Sequence, residues 1–82
     1  MVTVSVFGLL RSNHNIKQFS IDACGMRDVV EYLKKTYPHI TNKELEEAIL
    51  FVNQEKIMHM KRFDIPLTDG DNIVFTTYVG GG

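Results

Sequence analysis

The feature that most restricts the fold of this 82-residue chain is one amphipathic helix pattern near its middle. Apolar side chains recur there at spacings of three and four residues, which places them along one stripe of a helix. The stripe consists of Met26, Val29, Val30, Leu33 and Tyr37. Pro38 ends the pattern, and either Asp22 or Gly25 is expected to cap its start. Because a helix with one apolar face must cover a second layer, the remaining segments are expected to supply that layer.

The segment before this helix has the pattern of two strands. Residues 2–7 alternate between valine and other side chains, which is the period of a strand with one buried face. Residues 11–15 are polar turn formers, and residues 16–21 then resume an extended pattern. The sequence therefore predicts an N-terminal hairpin.

The segment after the helix contains further strand patterns separated by turns. Residues 48–52 form a short apolar run that predicts a central strand, and a polar reversal at residues 53–56 follows it. Residues 57–60 predict another short strand. Residues 66–71 form a turn with glycine where a positive φ is needed, and the β-branched and aromatic residues 72–79 predict the last strand.

A short second helix is predicted between the main helix and the central strand. Thr41 and Glu44 have the spacing of a capping box, and this helix is expected to run through Glu47. The order of elements predicts an α+β fold with one main helix packed across a small mixed sheet. This is the ubiquitin-like β-grasp order, in which a domain at residues 1–79 precedes a tail at residues 80–82. The predicted core is Val4, Val6, Phe19, Ile21, Val29, Val30, Leu33, Leu50, Val52, Ile73 and Phe75.

Composition restricts the partners that this domain is expected to have. Its net charge is −1 and its pI is near 6.3, so it has no broad basic field, and we expect no nucleic-acid partner. No apolar run is long enough to span a membrane and no signal-peptide pattern is visible, which predicts a cytoplasmic protein with no membrane partner. Cys24 is a single cysteine, which excludes an intrachain disulfide or a cysteine-ligated cluster. His14, His39 and His59 share no ligand spacing, so no metal site is expected.

The segment that carries chemistry is the terminal run of Gly80, Gly81 and Gly82, which directly follows the predicted last strand. A glycine tail has no Cβ atoms, so it is thin enough to enter a narrow channel in another protein. From Val79 onward it can carry its carboxylate roughly 13 Å beyond the strand. Transfer of AMP from ATP converts such a carboxylate to an acyl-adenylate, which a persulfide sulfur attacks on the way to a terminal thiocarboxylate. The alternative is a frayed chain end without function.

No catalytic residue is expected within this domain. Its sequence contains no visible pair of nucleophile and base and no cofactor loop. We therefore expect no bound cofactor, and the ATP is used by a partner that activates the terminus.

Several stretches of the chain resemble the MoaD/ThiS family of sulfur carriers. The similarity to MoaD, the small subunit of molybdopterin synthase, is carried by Asn53-Gln54, by residues 66–71 and by Gly81-Gly82. Phe7 in the first strand and Tyr37-Pro38 at the end of the main helix extend the similarity over essentially the whole domain. The Val-Gly-Gly-Gly ending, with no proline just before it, is closer to ThiS, the sulfur carrier for thiazole synthesis.

Strand parity places four large apolar side chains opposite the predicted core. They are Phe7, Phe51, Val74 and Tyr78. Apolar groups exposed together usually mark a binding surface, and the resemblance implies that the sheet face beside the tail docks partner proteins. Alternatively, the segment from residue 57 to residue 63 folds back over these side chains.

The resemblance implies a sulfur carrier rather than an enzyme. A ubiquitin-activating-type adenylating enzyme would use ATP to activate Gly82, and the sulfur would pass to a molybdopterin precursor in a synthase with a MoaE-like large subunit. One alternative acceptor is a thiazole synthase for thiamin. A second alternative is a ubiquitin-like modifier whose Gly82 forms isopeptide bonds with target lysines, and a third is an interaction module with an inert tail. The carboxylate is the same in every case, so the sequence does not choose among them.

Overall fold

A computed structural model describes residues 1–58 and 61–77 of the chain. The strands are β1 at Val2–Val6, β2 at Phe19–Ile21, β3 at Ile49–Val52, β4 at Glu55–Ile57 and β5 at Asn72–Thr76. The helices are α1 at Gly8–His14, α2 at Met26–Thr36 and α3 at Asn42–Glu47, and a single 3-10 turn lies at Arg62–Asp64.

The five strands form one mixed sheet in the order β2-β1-β5-β3-β4. The central pair, β1 and β5, is parallel, whereas every other pair of neighbours in the sheet is antiparallel. Apolar residues of α2 pack against one face of this sheet. The predicted α+β class and β-grasp order are confirmed.

The core lies between the sheet and α2. Alternate residues of β1 and β5 point into it, since both strands bury every second side chain. The buried apolar residues are Val2, Val4, Val6, Leu10, Ile16, Met26, Val29, Leu33, Ile40, Leu45, Ala48, Leu50, Leu67, Ile73 and Phe75. Four members of the predicted core, Phe19, Ile21, Val30 and Val52, are partly buried and pack against this cluster.

The predicted turn at residues 11–15 is wrong, because helix α1 occupies most of the connection between β1 and β2. The two strands still pair antiparallel, with Val2 opposite Ile21, so the hairpin pairing survives around a helical connection. The helix buries Leu10 and ends at His14, and its C-cap residue Asn15 has a φ of 52°, a left-handed value that asparagine tolerates.

The boundaries of the two later helices agree with the sequence. Gly25, one of the two predicted cap residues, is the N-cap of α2, and this helix ends at Thr36, two residues before Pro38. The capping box of α3 is present: Thr41 Oγ1 accepts from the Glu44 N–H at 3.1 Å, and Glu44 Oε1 accepts from the Thr41 N–H at 3.0 Å.

The strand predicted at residues 57–60 begins earlier than expected. Asn53 and Gln54 have φ values of 51° and 71°, so they make a tight two-residue turn, and β4 starts at Glu55. Positions 59–60 lie outside the described residues. The predicted last strand ends at Thr76 in β5, and its final predicted positions, 78–79, also lie outside the described part of the chain, as does the boundary of the tail.

Candidate functional site

The sheet face opposite α2 carries a shallow apolar depression. One row of paired residues crosses this face, with Val74 of β5 between Ser5 of β1 and Phe51 of β3. Phe7, just past β1, is 46 % exposed beside them. The depression has a volume of about 490 Å³ and is lined by Ser5, Phe7, Phe51, Gln54, Asn72, Ile73 and Val74. We call Phe7, Phe51 and Val74 the apolar sheet patch. The structure thus brings together three of the four predicted partner-binding residues, and the fourth, Tyr78, lies outside the described residues.

Residues 62–64, which follow β4 in the chain, pack on the helical side of the domain. Phe63 packs against the core cluster, and Arg27 Nε of α2 donates to Asp64 Oδ1 at 2.6 Å. Arg62 Nη2 donates to the backbone oxygens of Leu45 and Glu46 at 2.7 and 2.6 Å, so it satisfies carbonyl groups at the end of α3. No residue described between positions 57 and 63 lines the depression, so the described part of this segment does not fold back over the patch.

Arg62 is partly withdrawn from water in this position. Burial lowers the pKa of its guanidinium, and the nearby carboxylate of Glu46 opposes that shift. Because an arginine pKa starts far above neutrality, the group stays charged, and its charge strengthens the two hydrogen bonds that it makes. This residue therefore ties the 3-10 turn to α3.

The start of β5 is held by Asn53 and by residues of the predicted turn at 66–71. Asp71 Oδ2 accepts from the Thr68 backbone N–H at 2.8 Å, and Asp71 Oδ1 accepts from Asn53 Nδ2 at 2.9 Å. The hydrogen bond from the Thr68 backbone has the larger effect and the one from Asn53 adds to it, and together they lower the pKa of Asp71. Gly70 has a φ of 90°, as predicted for this turn. Asp71 therefore supports a turn rather than acid–base chemistry.

The end of β5 is held by residues that the sequence analysis did not single out. The Leu9 N–H donates to Thr77 Oγ1 at 2.8 Å. Gly8, with a φ of 75°, lies so close to Thr77 that a Cβ atom there would overlap Thr77 Oγ1. Thr77 is the last described residue before the glycine tail, and Gly80, Gly81 and Gly82 themselves lie outside the described residues.

A family model adds to this geometry. The model of the ThiS family matches residues 4–82, from the first strand through the terminal glycine. The chain belongs to the ThiS family. The resemblance to MoaD/ThiS sulfur carriers is thereby confirmed.

Solved structures show the same fold. A chain from the complex of subunits 1 and 2 of molybdopterin-converting factor of Helicobacter pylori is 25% identical, with a TM-score of 0.70 over 99% of this chain and 97% of that one. A chain of the Amycolatopsis orientalis BexX/CysO complex is 20% identical, with a TM-score of 0.75 and full coverage of both chains. SAMP1 from Haloferax volcanii is 14% identical, with a TM-score of 0.73 over 99% of this chain and 98% of that one. The last two similarities establish the fold alone. The comparison with curated proteins gave no match.

In this member of the ThiS family, α1 and α3 form a second cleft beside the end of β5. The cleft has a volume of about 250 Å³ and is lined by Leu9, Leu10, Asn13, Glu44, Glu47 and Thr77. His14 Nε2 and Glu44 Oε2 are 2.8 Å apart, which joins the two helices. This contact with His14, followed by the hydrogen bond from the Thr41 backbone, lowers the pKa of Glu44 below its ordinary value of 4.5.

The described residues contain no group of three or more histidine, cysteine or carboxylate side chains placed to hold a metal ion. Cys24 is a free, exposed thiol, and His59 lies outside the described residues. Among the helices that the structure describes, none is long and apolar enough to cross a bilayer.

Proposed function

We propose that this protein is a sulfur carrier that works through the carboxylate of Gly82 and donates sulfur in molybdopterin biosynthesis. A ubiquitin-activating-type adenylating enzyme would use ATP to convert the carboxylate to an acyl-adenylate, with release of pyrophosphate. The terminal sulfur of a persulfide then attacks the carbonyl carbon and expels AMP. Reduction of the resulting S–S bond by a thiol leaves the terminal thiocarboxylate.

The observation that carries the proposal is the position of the apolar sheet patch next to the strand that leads into the tail. Val74 lies at the centre of β5, and the sequence continues from Thr77 through residues 78–82 to Gly82. A partner that buries the patch on binding is therefore adjacent to the start of the tail. Phe7, Phe51, Val74 and Tyr78 are the proposed docking residues, and Gly80 and Gly81 are the proposed threading segment.

Two comparisons bear on the acceptor of the sulfur. The relative at 25% identity belongs to a complex of two subunits of molybdopterin-converting factor, which favours a synthase with a MoaE-like large subunit as the second partner. The family model that matches is that of ThiS, which favours a thiazole synthase as the alternative partner. In either case the carrier is the non-catalytic component, and ATP is bound by the activating enzyme.

Intact-mass spectrometry tests the proposal directly. The full-length protein is incubated with the adenylating enzyme of the same genome, ATP and a persulfide donor. We expect a product heavier by one exchange of oxygen for sulfur, located at Gly82 by fragmentation. A variant lacking Gly82 is the control and should remain unmodified. If the wild-type protein keeps its carboxylate under these conditions, sulfur carriage is wrong.

A second assay separates the acceptors. The thiocarboxylate form is offered either to a molybdopterin synthase large subunit with its precursor or to a thiazole synthase with its substrates. We expect sulfur transfer in the first reaction. Transfer in the second reaction alone would assign the protein to thiazole synthesis.

A further inference from the structure

Helix α1 is capped by a residue from the other end of the chain. Its N-cap residue, Phe7, has no side-chain oxygen and makes no capping hydrogen bond. The N–H groups in the first turn of a helix lack partners within the helix and need an external acceptor. The Leu9 N–H in that turn donates to Thr77 Oγ1 at 2.8 Å. Thr77 therefore takes the place of an N-cap side chain.

The backbone of α1 is also in direct contact with Thr77. A Cβ atom on Gly8 would overlap Thr77 Oγ1 and lie 3.1 Å from the Thr77 nitrogen, so only glycine permits this approach. Two residues earlier along β5, the carbonyl oxygen of Phe75 accepts from the Phe7 N–H at 2.8 Å. Two successive hydrogen bonds thus hold the end of β5 against the start of α1.

We propose that Thr77 is a positioning residue that fixes the end of β5, the point from which the tail starts. This role rests on the proposed function, because it matters only if a partner acts on Gly82. Phe7 belongs to the apolar sheet patch and is also the N-cap of α1, so the patch and the tail origin are joined through three consecutive residues, Phe7, Gly8 and Leu9. An enzyme that binds the patch therefore meets the start of the tail at a fixed position, Thr77.

The size of the expected effect separates positioning from a simple change of tail length. Suppose that Thr77 only anchored a freely moving tail of five residues, so that loss of its contact lengthened the free tail to six. The effective concentration of the carboxylate at the active site of the enzyme would then fall by less than about 1.5-fold, since it decreases roughly as the −3/2 power of tail length. Loss of one hydrogen bond of ordinary net strength, if the reacting geometry depends on it, corresponds to about 3- to 10-fold. A decrease of that size therefore indicates positioning.

The test compares full-length Thr77→Val, Thr77→Ser and Thr76→Val with the wild type in steady-state adenylation, measured as ATP–pyrophosphate exchange with the adenylating enzyme of the same genome. Valine keeps the branched shape of threonine but has no acceptor, whereas serine keeps the hydroxyl. Thr76→Val is the matched control, because the Thr76 hydroxyl has no hydrogen-bond partner among the described residues. We expect Thr77→Val to lower kcat by about 3- to 10-fold with KM unchanged. Thr77→Ser and Thr76→Val should behave as the wild type.

Hydrogen exchange of the Leu9 amide, measured on the same samples, should be faster in Thr77→Val alone, since only that variant removes its acceptor. All assays are run where circular dichroism shows each variant folded. Thr77→Ala, which also lacks the hydroxyl, repeats the test should Thr77→Val not fold.

A kcat decrease below about 3-fold overturns the positioning role. The role is also overturned by an equal decrease in Thr76→Val, by failure of Thr77→Ser to restore the rate, or by a change carried by KM alone. If the wild-type protein is not adenylated, the proposed function is wrong, and the positioning role of Thr77, which rests on it, is wrong as well. Normal adenylation of both the wild type and Thr77→Val refutes the positioning role and leaves the proposed function standing.

Discussion

Asn53 Nδ2 donates a hydrogen bond of 2.9 Å to Asp71 Oδ1, which joins the β3–β4 hairpin to the turn before β5. Asn53 Oδ1 also accepts from the Asn72 N–H at 2.9 Å, and the Asn53 N–H donates to the Asn72 carbonyl at 2.8 Å. Since β3 and β5 carry Phe51 and Val74, this one side chain supports the two strands that form most of the apolar sheet patch.

Replacement of Asn53 should therefore destabilise the fold. Asn53→Ala removes both side-chain hydrogen bonds and places a less tolerant residue at a φ of 51°. We expect the free energy of unfolding in urea to fall by about 1–3 kcal/mol. Asn53→Gly is the control, because it loses the same hydrogen bonds but adopts positive φ freely, and it should fall between Asn53→Ala and the wild type. Equal stability of Asn53→Ala and the wild type would contradict the supporting role.

The His14–Glu44 contact should make stability depend on pH in the acidic range. The pKa of Glu44 is lowered in the folded protein, so Glu44 contributes stability that is fully present above its unfolded pKa, near the ordinary value of 4.5. That contribution is lost as the pH falls through the lower folded pKa. Glu44→Gln, whose amide oxygen can still accept from the Thr41 N–H, should flatten the dependence of unfolding free energy on pH in this range.

Glu47→Gln is the matched control for this prediction. Glu47 lies on the same short helix and forms no ion pair or side-chain hydrogen bond among the residues that the structure describes. Urea unfolding at a series of pH values from about 6 down to about 3 covers the relevant range. The same flattening in both variants would show that the His14 contact is not its source.

The elements predicted correctly are those whose signals lie within the element itself. The stripe of α2 and the capping box of α3 are local patterns of side chains, and both elements form where the sequence places them. Helix α1 differs, because it buries one residue, Leu10, and its Phe7 cap position has no capping side chain. Its first turn is completed by Thr77, at a separation of 68 residues, and no local pattern reveals such a contact.

The same distinction applies to the candidate site. Strand parity is a local property, and it correctly placed Phe7, Phe51 and Val74 on one face. The contact of Gly8 with Thr77 depends on the parallel pairing of β1 with β5, which brings together opposite ends of the chain. Gly8, directly after the predicted first strand, is the one local indication of this contact, but a glycine does not by itself reveal which residue approaches it.

Gly8 and Gly70 form a matched pair that isolates this contact. Both have positive φ values, 75° and 90°, so alanine at either position carries a backbone penalty of roughly 1–2 kcal/mol. A Cβ atom at Gly70 would meet nothing within 4 Å, whereas one at Gly8 would overlap Thr77. Gly8→Ala should therefore lower the free energy of unfolding in urea by more than Gly70→Ala. Equal losses would show that the close approach to Thr77 relaxes without penalty.

Substitution of two phenylalanines, one on each face of the sheet, distinguishes the core face from the docking face. Phe75 is fully buried in the core, so Phe75→Ser should lower the free energy of unfolding by about 3–5 kcal/mol. Phe7 is 46 % exposed on the other face, and alanine there adds no capping hydroxyl to α1, so Phe7→Ala should lower the free energy of unfolding by less than Phe75→Ser does. It should instead weaken binding to the adenylating enzyme, by up to roughly 1.5–3 kcal/mol if the side chain is fully buried on docking. Thermal unfolding and calorimetric titration of each variant measure the two effects. A Phe7→Ala protein that unfolds as easily as Phe75→Ser yet binds normally would exclude Phe7 from the docking surface.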